Sequence, residues 1–132
     1  MTEAPAVDTT APPRGYGPLT TEMFVRYSGA SGDLNPMHYD KDFAIQAGYP
    51  SVFSQGMHTA SLLASFAVDW LGAERLRRFR VRFRTIVFPG DLLTCTGRVT
   101  STSGRVVTVE LVATRQDGSV AIQGEADFDF DS

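Results

Sequence analysis

The chain is 132 residues long, 42% hydrophobic and 20% charged, with a net charge of −3. That is one domain's worth of sequence with enough apolar content for a core, and its acidic balance leaves no basic footprint for nucleic acid. Its one cysteine, Cys95, excludes an intrachain disulfide and fits a reducing compartment, and no apolar run reaches the roughly 18 residues of a membrane span.

The N-terminal stretch "MTEAPAVDTTAPPRG" carries acids and prolines where a secretion leader has a positive start and an apolar run. Residues 1–14 therefore read as a flexible tail, residues 15–132 as a single domain, and the cytoplasm as the default location. "LTTEMFVRYSGASG" offers Thr20 or Thr21 as an N-cap, a helical turn or two, and glycines to end it. Asp40 can cap a short helix through "KDFAIQAG", closed by Gly48 with Pro50 beyond. "GMHTASLLASFAVDWLG", Gly56 to Gly72, is the longest expected helix. It is apolar nearly all round, so it must be covered on most sides.

The second half has a different period. In "RRFRVRFRTIVF", Phe79, Val81 and Phe83 face one way and Arg78, Arg80, Arg82 and Arg84 the other. The phase slips before Ile86 and Phe88, which predicts a bulge or bend. Turn chemistry at Pro89–Asp91 leads into a second strand with Leu93, Cys95, Gly97 and Val99 on one face. Val107, Val109, Leu111 and Ala113 line a third strand. Val120, Ile122, Gly124, Ala126, Phe128 and Phe130 line a fourth. Short connections predict antiparallel pairing, and one apolar face predicts a sheet packed on one side. The expected fold class is α+β, an antiparallel meander curled around a buried helix.

The stretch "SGDLNPMHYD" gathers an acid, an amide, a proline and one of two histidines. Pro36 disfavours helical backbone at Asn35, so Asp33 and His38 can converge only if the loop curls. Taken alone, Asp33 could form an Asx turn and His38 could be a half-buried histidine. Taken together they could form an acid–base pair.

"YSGASGDLNPMHYDKDFA" resembles the signature of the MaoC-like family, the (R)-specific enoyl-CoA hydratases. Gly32, Asp33, Asn35, Pro36, His38 and Ala44 match its pattern. Ala30 stands where a larger aliphatic or glycine is usual, and Met37 where Leu, Ile or Val is usual. "SQGMHTASLL" resembles the family's H-G-M start of its central helix, with Gln55 in place of the histidine, and "VRFRTIVFPGDLL" resembles its strand and P-G-D turn. The resemblance implies a hotdog fold, a long central helix wrapped by a curved antiparallel sheet. It implies hydration of trans-2-enoyl thioesters to (R)-3-hydroxyacyl thioesters, or the reverse dehydration. Asp33 and His38 would be the acid–base pair, and the Gly56 amide at the helix start would be an oxyanion donor. Asn35 would orient the loop or contact the thioester, and Gln55, Met57, Arg82 and Arg84 would contact the substrate, carried on coenzyme A or an acyl-carrier protein. No cofactor, metal, membrane or nucleic acid is expected, and the partner is a second hotdog chain in a homodimer or heterodimer. A thioesterase, or one subunit of a heteromeric hydratase, is the alternative. His58 is expected to be a core or boundary residue, and Cys95 a small buried hydrophobe.

Overall fold

The computed structural model describes residues 3–131. In chain order the elements are β1 (Arg14–Tyr16), α1 (Thr21–Ser31), a 3-10 turn (Pro36–His38), α2 (Lys41–Gln46) and α3 (Gly56–Leu71). A second 3-10 turn (Ala73–Arg75), β2 (Leu76–Phe83), β3 (Leu93–Ser103), β4 (Val106–Thr114) and β5 (Val120–Asp129) follow. The strands form one antiparallel sheet ordered β1-β3-β4-β5-β2. The α+β hotdog architecture read from the sequence is the fold observed.

The inward faces follow the alternation. Leu93, Cys95 and Val99 on β3, Val107, Val109 and Leu111 on β4, and Ile122 and Phe128 on β5 are fully enclosed. Against them lies the stripe Ala60, Leu63, Phe66, Ala67 and Leu71 of α3. Two sheet glycines let the helix sit close. A Cβ at Gly97 would stand 2.9 Å from the Trp70 ring, and one at Gly124 would stand 3.1 Å from Leu63 Cδ2. On another side Leu62 packs against a second cluster with Leu19 and Phe24, and His58 meets Phe24 and Tyr27 of α1, while Met57, Ser61, Ser65 and Asp69, spaced four apart, stay exposed.

The helix starts follow capping chemistry. Thr20 accepts the Met23 N–H at α1, and Asp40 accepts the Phe43 N–H at α2. The first helix is longer than the turn or two expected, at 11 residues.

Two expectations need correction. First, residues 8–14 are not a flexible tail. The Asp8 N–H donates to the Val99 carbonyl at 2.9 Å, the Val99 N–H donates to the Thr9 carbonyl at 2.9 Å, the Ala11 N–H donates to the Gly97 carbonyl at 3.0 Å, and Ala11 is buried. The segment is an edge partner of β3, broken at Pro12 and Pro13, which have no N–H to donate. The backbone bonding of an edge leaves no mark in side-chain composition. Residues 1 and 2 lie outside the described residues.

Second, β2 does not pair with β3. It lies at the opposite edge, paired with β5 in a register that sets Phe79 opposite Ala126, Val81 opposite Gly124 and Phe83 opposite Ile122. The phase slip before Ile86 marks the end of β2, and residues 84–92 are a crossover rather than a tight hairpin. The crossover is anchored by Asp91, which is buried. Its carboxylate accepts from Arg115 Nε at 2.8 Å, Arg115 Nη2 at 3.2 Å, Gln116 Nε2 at 2.8 Å and the Phe88 N–H at 2.8 Å.

Candidate active site

The loop over residues 31–40 is built from local hydrogen bonds. Gly32, at φ 79°, stops α1 with its N–H on the Ser28 carbonyl. Asp33 Oδ1 accepts the Asn35 N–H at 3.3 Å, an Asx turn. Asn35 Oδ1 in turn accepts the Met37 N–H at 3.1 Å and caps the Pro36–His38 turn. Asn35, expected either to orient the loop or to touch substrate, is held by its oxygen in the first of these roles.

This curl brings Asp33 and His38 together. Asp33 Oδ2 stands 3.5 Å from His38 Nε2, with the histidine side chain 8% exposed and the aspartate 46% exposed. His38 Nδ1 lies 2.8 Å from the Phe53 carbonyl. A carbonyl only accepts, so Nδ1 carries a proton, and in the neutral form of the ring the Nε2 lone pair is turned toward Asp33. The separation exceeds the roughly 2.9–3.0 Å of a direct N–H···O bond, so neither atom is taken up by the other.

Phe53 ties this pair to a cavity. Its N–H donates to the Met37 carbonyl at 3.3 Å, and its ring meets His38 edge-on at 5.3 Å between centroids. The same residue lines a cavity of about 220 Å³ together with Ser54, Gly56, Thr59, Phe83, Arg84, Thr85, Ile86, Val87 and Ala121. Asp33 and His38 are not among its lining residues; they stand behind the Phe53 segment. The Ser54 N–H donates to the Val87 carbonyl at 2.8 Å, which fixes the opposite wall, supplied by the crossover.

Gly56 is the first residue of α3, and Gln55, its N-cap residue, makes no side-chain cap. The first amides of a 16-residue helix are therefore left without an intrahelical acceptor, at the positive end of the helix dipole. Gln55 is 1% exposed, and its Nε2 donates to the Phe24 carbonyl at 2.8 Å and to Ser28 Oγ at 2.9 Å, so it braces α1 against the start of α3.

Met57 is 61% exposed on the next position of the helix. The arginines of β2 and of the residue that follows it fall into two groups. Arg77, Arg78 and Arg80 pair with Asp129, Asp127 and Glu125 of β5. Arg82 and Arg84, toward the cavity end, have no carboxylate partner among the described residues. Arg84 lines the cavity and donates its Nε to Gln123 Oε1 at 2.9 Å, whereas Arg82 lies on the outer face of the sheet.

His58 is a boundary residue, as expected. Ser54 Oγ lies 3.1 Å from its Nδ1, Tyr27 packs on its ring, and burial holds it below its ordinary pKa. Burial pushes the Cys95 thiol up to about 12, so it stays protonated as an inert core group. Sequence reasoning missed Phe53, whose contribution is a backbone oxygen that no residue type advertises. It also missed the Asp91–Arg115 anchor, whose only visible sign was the Pro89–Asp91 turn.

The family profile described as MaoC like domain matches residues 4–120. The enoyl-CoA hydratase ChsH3 of Mycobacterium tuberculosis is 31% identical over 96 residues, covering 70% of this chain and 32% of that protein. The chain spans a third or less of the length of the curated relatives it matches. Among solved structures, the (R)-hydratase from A. caviae involved in PHA biosynthesis superposes with a TM-score of 0.87 at 23% identity, covering 98% of this chain and 100% of that one. The ChsH1–ChsH2 complex of Mycobacterium tuberculosis gives a TM-score of 0.86 at 20% identity, covering 96% and 98%. At these identities the two structures establish the fold. The profile covers most of the chain, including the Asp33–His38 loop and all of α3, and this chain therefore belongs to the MaoC-like domain family.

Proposed function

We propose that this protein adds water to trans-2-enoyl thioesters to give (R)-3-hydroxyacyl thioesters, or catalyses the reverse dehydration. The observation that carries the reading is the convergence of Asp33 and His38 at 3.5 Å, tied through Phe53 to a cavity beneath an uncapped helix start. A carboxylate and a neutral imidazole nitrogen are both acceptors, and water, with two hydrogens, can donate to both. Either acceptor can take a proton as the oxygen attacks the β-carbon.

The thioester oxygen gains negative charge as the enolate forms. The Gly56 N–H would meet that charge, because the helix start offers a donor with no competing acceptor. A proton returned to the α-carbon from the same pair makes the addition syn, and the face of the β-carbon turned toward the pair sets the configuration, which this reading takes as (R). The A. caviae (R)-hydratase, which shares the fold, supports that stereochemistry. Water addition changes no net oxidation state, so the reaction calls for no redox cofactor.

Arg82 and Arg84, lacking carboxylate partners, would meet the phosphates of coenzyme A or the acidic face of a carrier protein. A second chain of the same fold is the proposed partner, supported by the likeness to the ChsH1–ChsH2 complex. Crotonyl-CoA tests the reading. Loss of the enoyl absorbance without free thiol is expected; release of thiol at the same rate would instead establish a thioesterase.

A further inference from the structure

We propose that Phe83 determines acyl specificity: its ring is the wall that admits an unbranched acyl group at the Gly56 amide and excludes a methyl branch on the α-carbon. The inference rests on the proposed site and adds a substrate class to it. Phe79, Val81 and Phe83 share the inward face of β2, but they end differently. Phe79 and Val81 pack against the core, whereas Phe83, the last residue of the strand, is 53% exposed.

Its ring does not lie idle on the surface. A Cβ built at Gly56 would stand 3.0, 3.2 and 3.4 Å from three carbons of the Phe83 ring. The ring therefore touches the residue whose amide faces the thioester oxygen. It lines the same cavity as Phe53, Thr59 and Ile86. An enoyl group bound by its carbonyl oxygen at that amide has its α-carbon one bond beyond the carbonyl carbon, within reach of the ring.

The wall cannot retreat easily. Phe83 is paired in register with Ile122, and the next two residues, Arg84 and Thr85, both donate their N–H groups to the Ala121 carbonyl at 2.9 and 3.2 Å. The backbone carrying the ring is thus fixed to β5, and only side-chain rotation remains. A close-fitting apolar wall distinguishes acyl groups differing by one methyl by about 10- to 200-fold.

The test compares crotonyl-CoA with 2-methylcrotonyl-CoA in the wild type, Phe83→Leu and Phe83→Ala. The ratio of kcat/KM for the branched over the unbranched substrate should rise about tenfold or more in Phe83→Ala, and less in Phe83→Leu. An unchanged ratio overturns the proposal. Calorimetric binding of butyryl-CoA and 2-methylbutyryl-CoA, which cannot react, supplies the same ratio without turnover. A shifted binding ratio with no turnover by any of the three proteins keeps the wall and removes the hydratase reading. An unmoved binding ratio, or no binding at all, removes the wall.

Discussion

The carboxylate of Asp33 serves the loop with one oxygen and faces the histidine with the other. Oδ1 closes the Asx turn that Asn35 and Pro36 continue, and Oδ2 is left for His38. The two readings of that aspartate from sequence, turn former and acid–base group, are compatible because a carboxylate has two oxygens. Gly56 likewise has two reasons to be glycine: in the proposed reaction its N–H would meet the thioester oxygen, and a Cβ there would stand 3.0 Å from the Phe83 ring. Two substitutions separate these reasons. Gly56→Ala keeps the N–H and brings a Cβ against the ring. Gly56→Pro brings the same Cβ and deletes the N–H, at a helix start preceded by Gln55 at φ −63° and ψ 138°, a backbone that tolerates a following proline. The kcat of Gly56→Pro should fall below that of Gly56→Ala by about 10²–10³-fold, the usual effect of losing one oxyanion donor. Equal rates for the two variants would take the amide out of the mechanism.

At the scale of elements, the site depends on a crossover that is not itself regular structure. Residues 84–92 supply one wall of the cavity, and the buried Asp91 carboxylate pins them to Arg115 and Gln116 of the β4–β5 hairpin. Burial alone would raise the Asp91 pKa, but the bonds from Arg115, the Phe88 N–H and Gln116 outweigh it and hold it below the ordinary 3.8. Asp91→Ala leaves the Arg115 guanidinium without that partner and should cost about 3 kcal/mol or more in urea unfolding. It should also speed exchange of the Ser54 amide proton, which is bonded to Val87 of the same crossover. An unaltered unfolding midpoint would show that the anchor is dispensable. The inward faces of β3, β4 and β5 were legible in the sequence because a period of two survives whatever the strand's neighbours are. The strand order was not, because Arg77, Arg78 and Arg80 find their acids on β5, far along the chain, and nothing local records that. The pairing of residues 8–11 with β3 was hidden for the same reason.

Across the whole molecule, α3 joins fold to chemistry. Its C-terminal turns are gripped by the sheet through Leu63, Phe66 and Leu71, while its first turn is left uncapped over the cavity. Gln55 and His58 secure that first turn to α1, and His58 makes the arrangement sensitive to acid. Burial holds its pKa below 6.5, so below that pH the unfolded chain binds protons the folded chain resists. The stability His58 contributes is complete above pH 6.5 and is lost as pH falls through 6.5 toward the lower folded value. The Tm should therefore drop less between pH 7 and pH 5 in His58→Gln, which keeps a polar partner for Ser54, than in the wild type. Equal drops would contradict the assignment. Within the site, the convergence of Asp33 and His38 was legible because Gly32 and Pro36 let the loop curl. The packing of Gln55 was not, because an amide can bind a ligand or brace a core and its residue type does not record burial. Helix and crossover meet at the cavity, and the Asp33–His38 pair is joined to it through Phe53. The most direct measurement is kcat/KM for crotonyl-CoA in Asp33→Asn and His38→Gln, with Tm recorded on the same samples. Each variant should lose about 10²–10⁴-fold in kcat/KM, with its Tm within a few degrees of the wild type. Wild-type turnover by either variant would contradict the account.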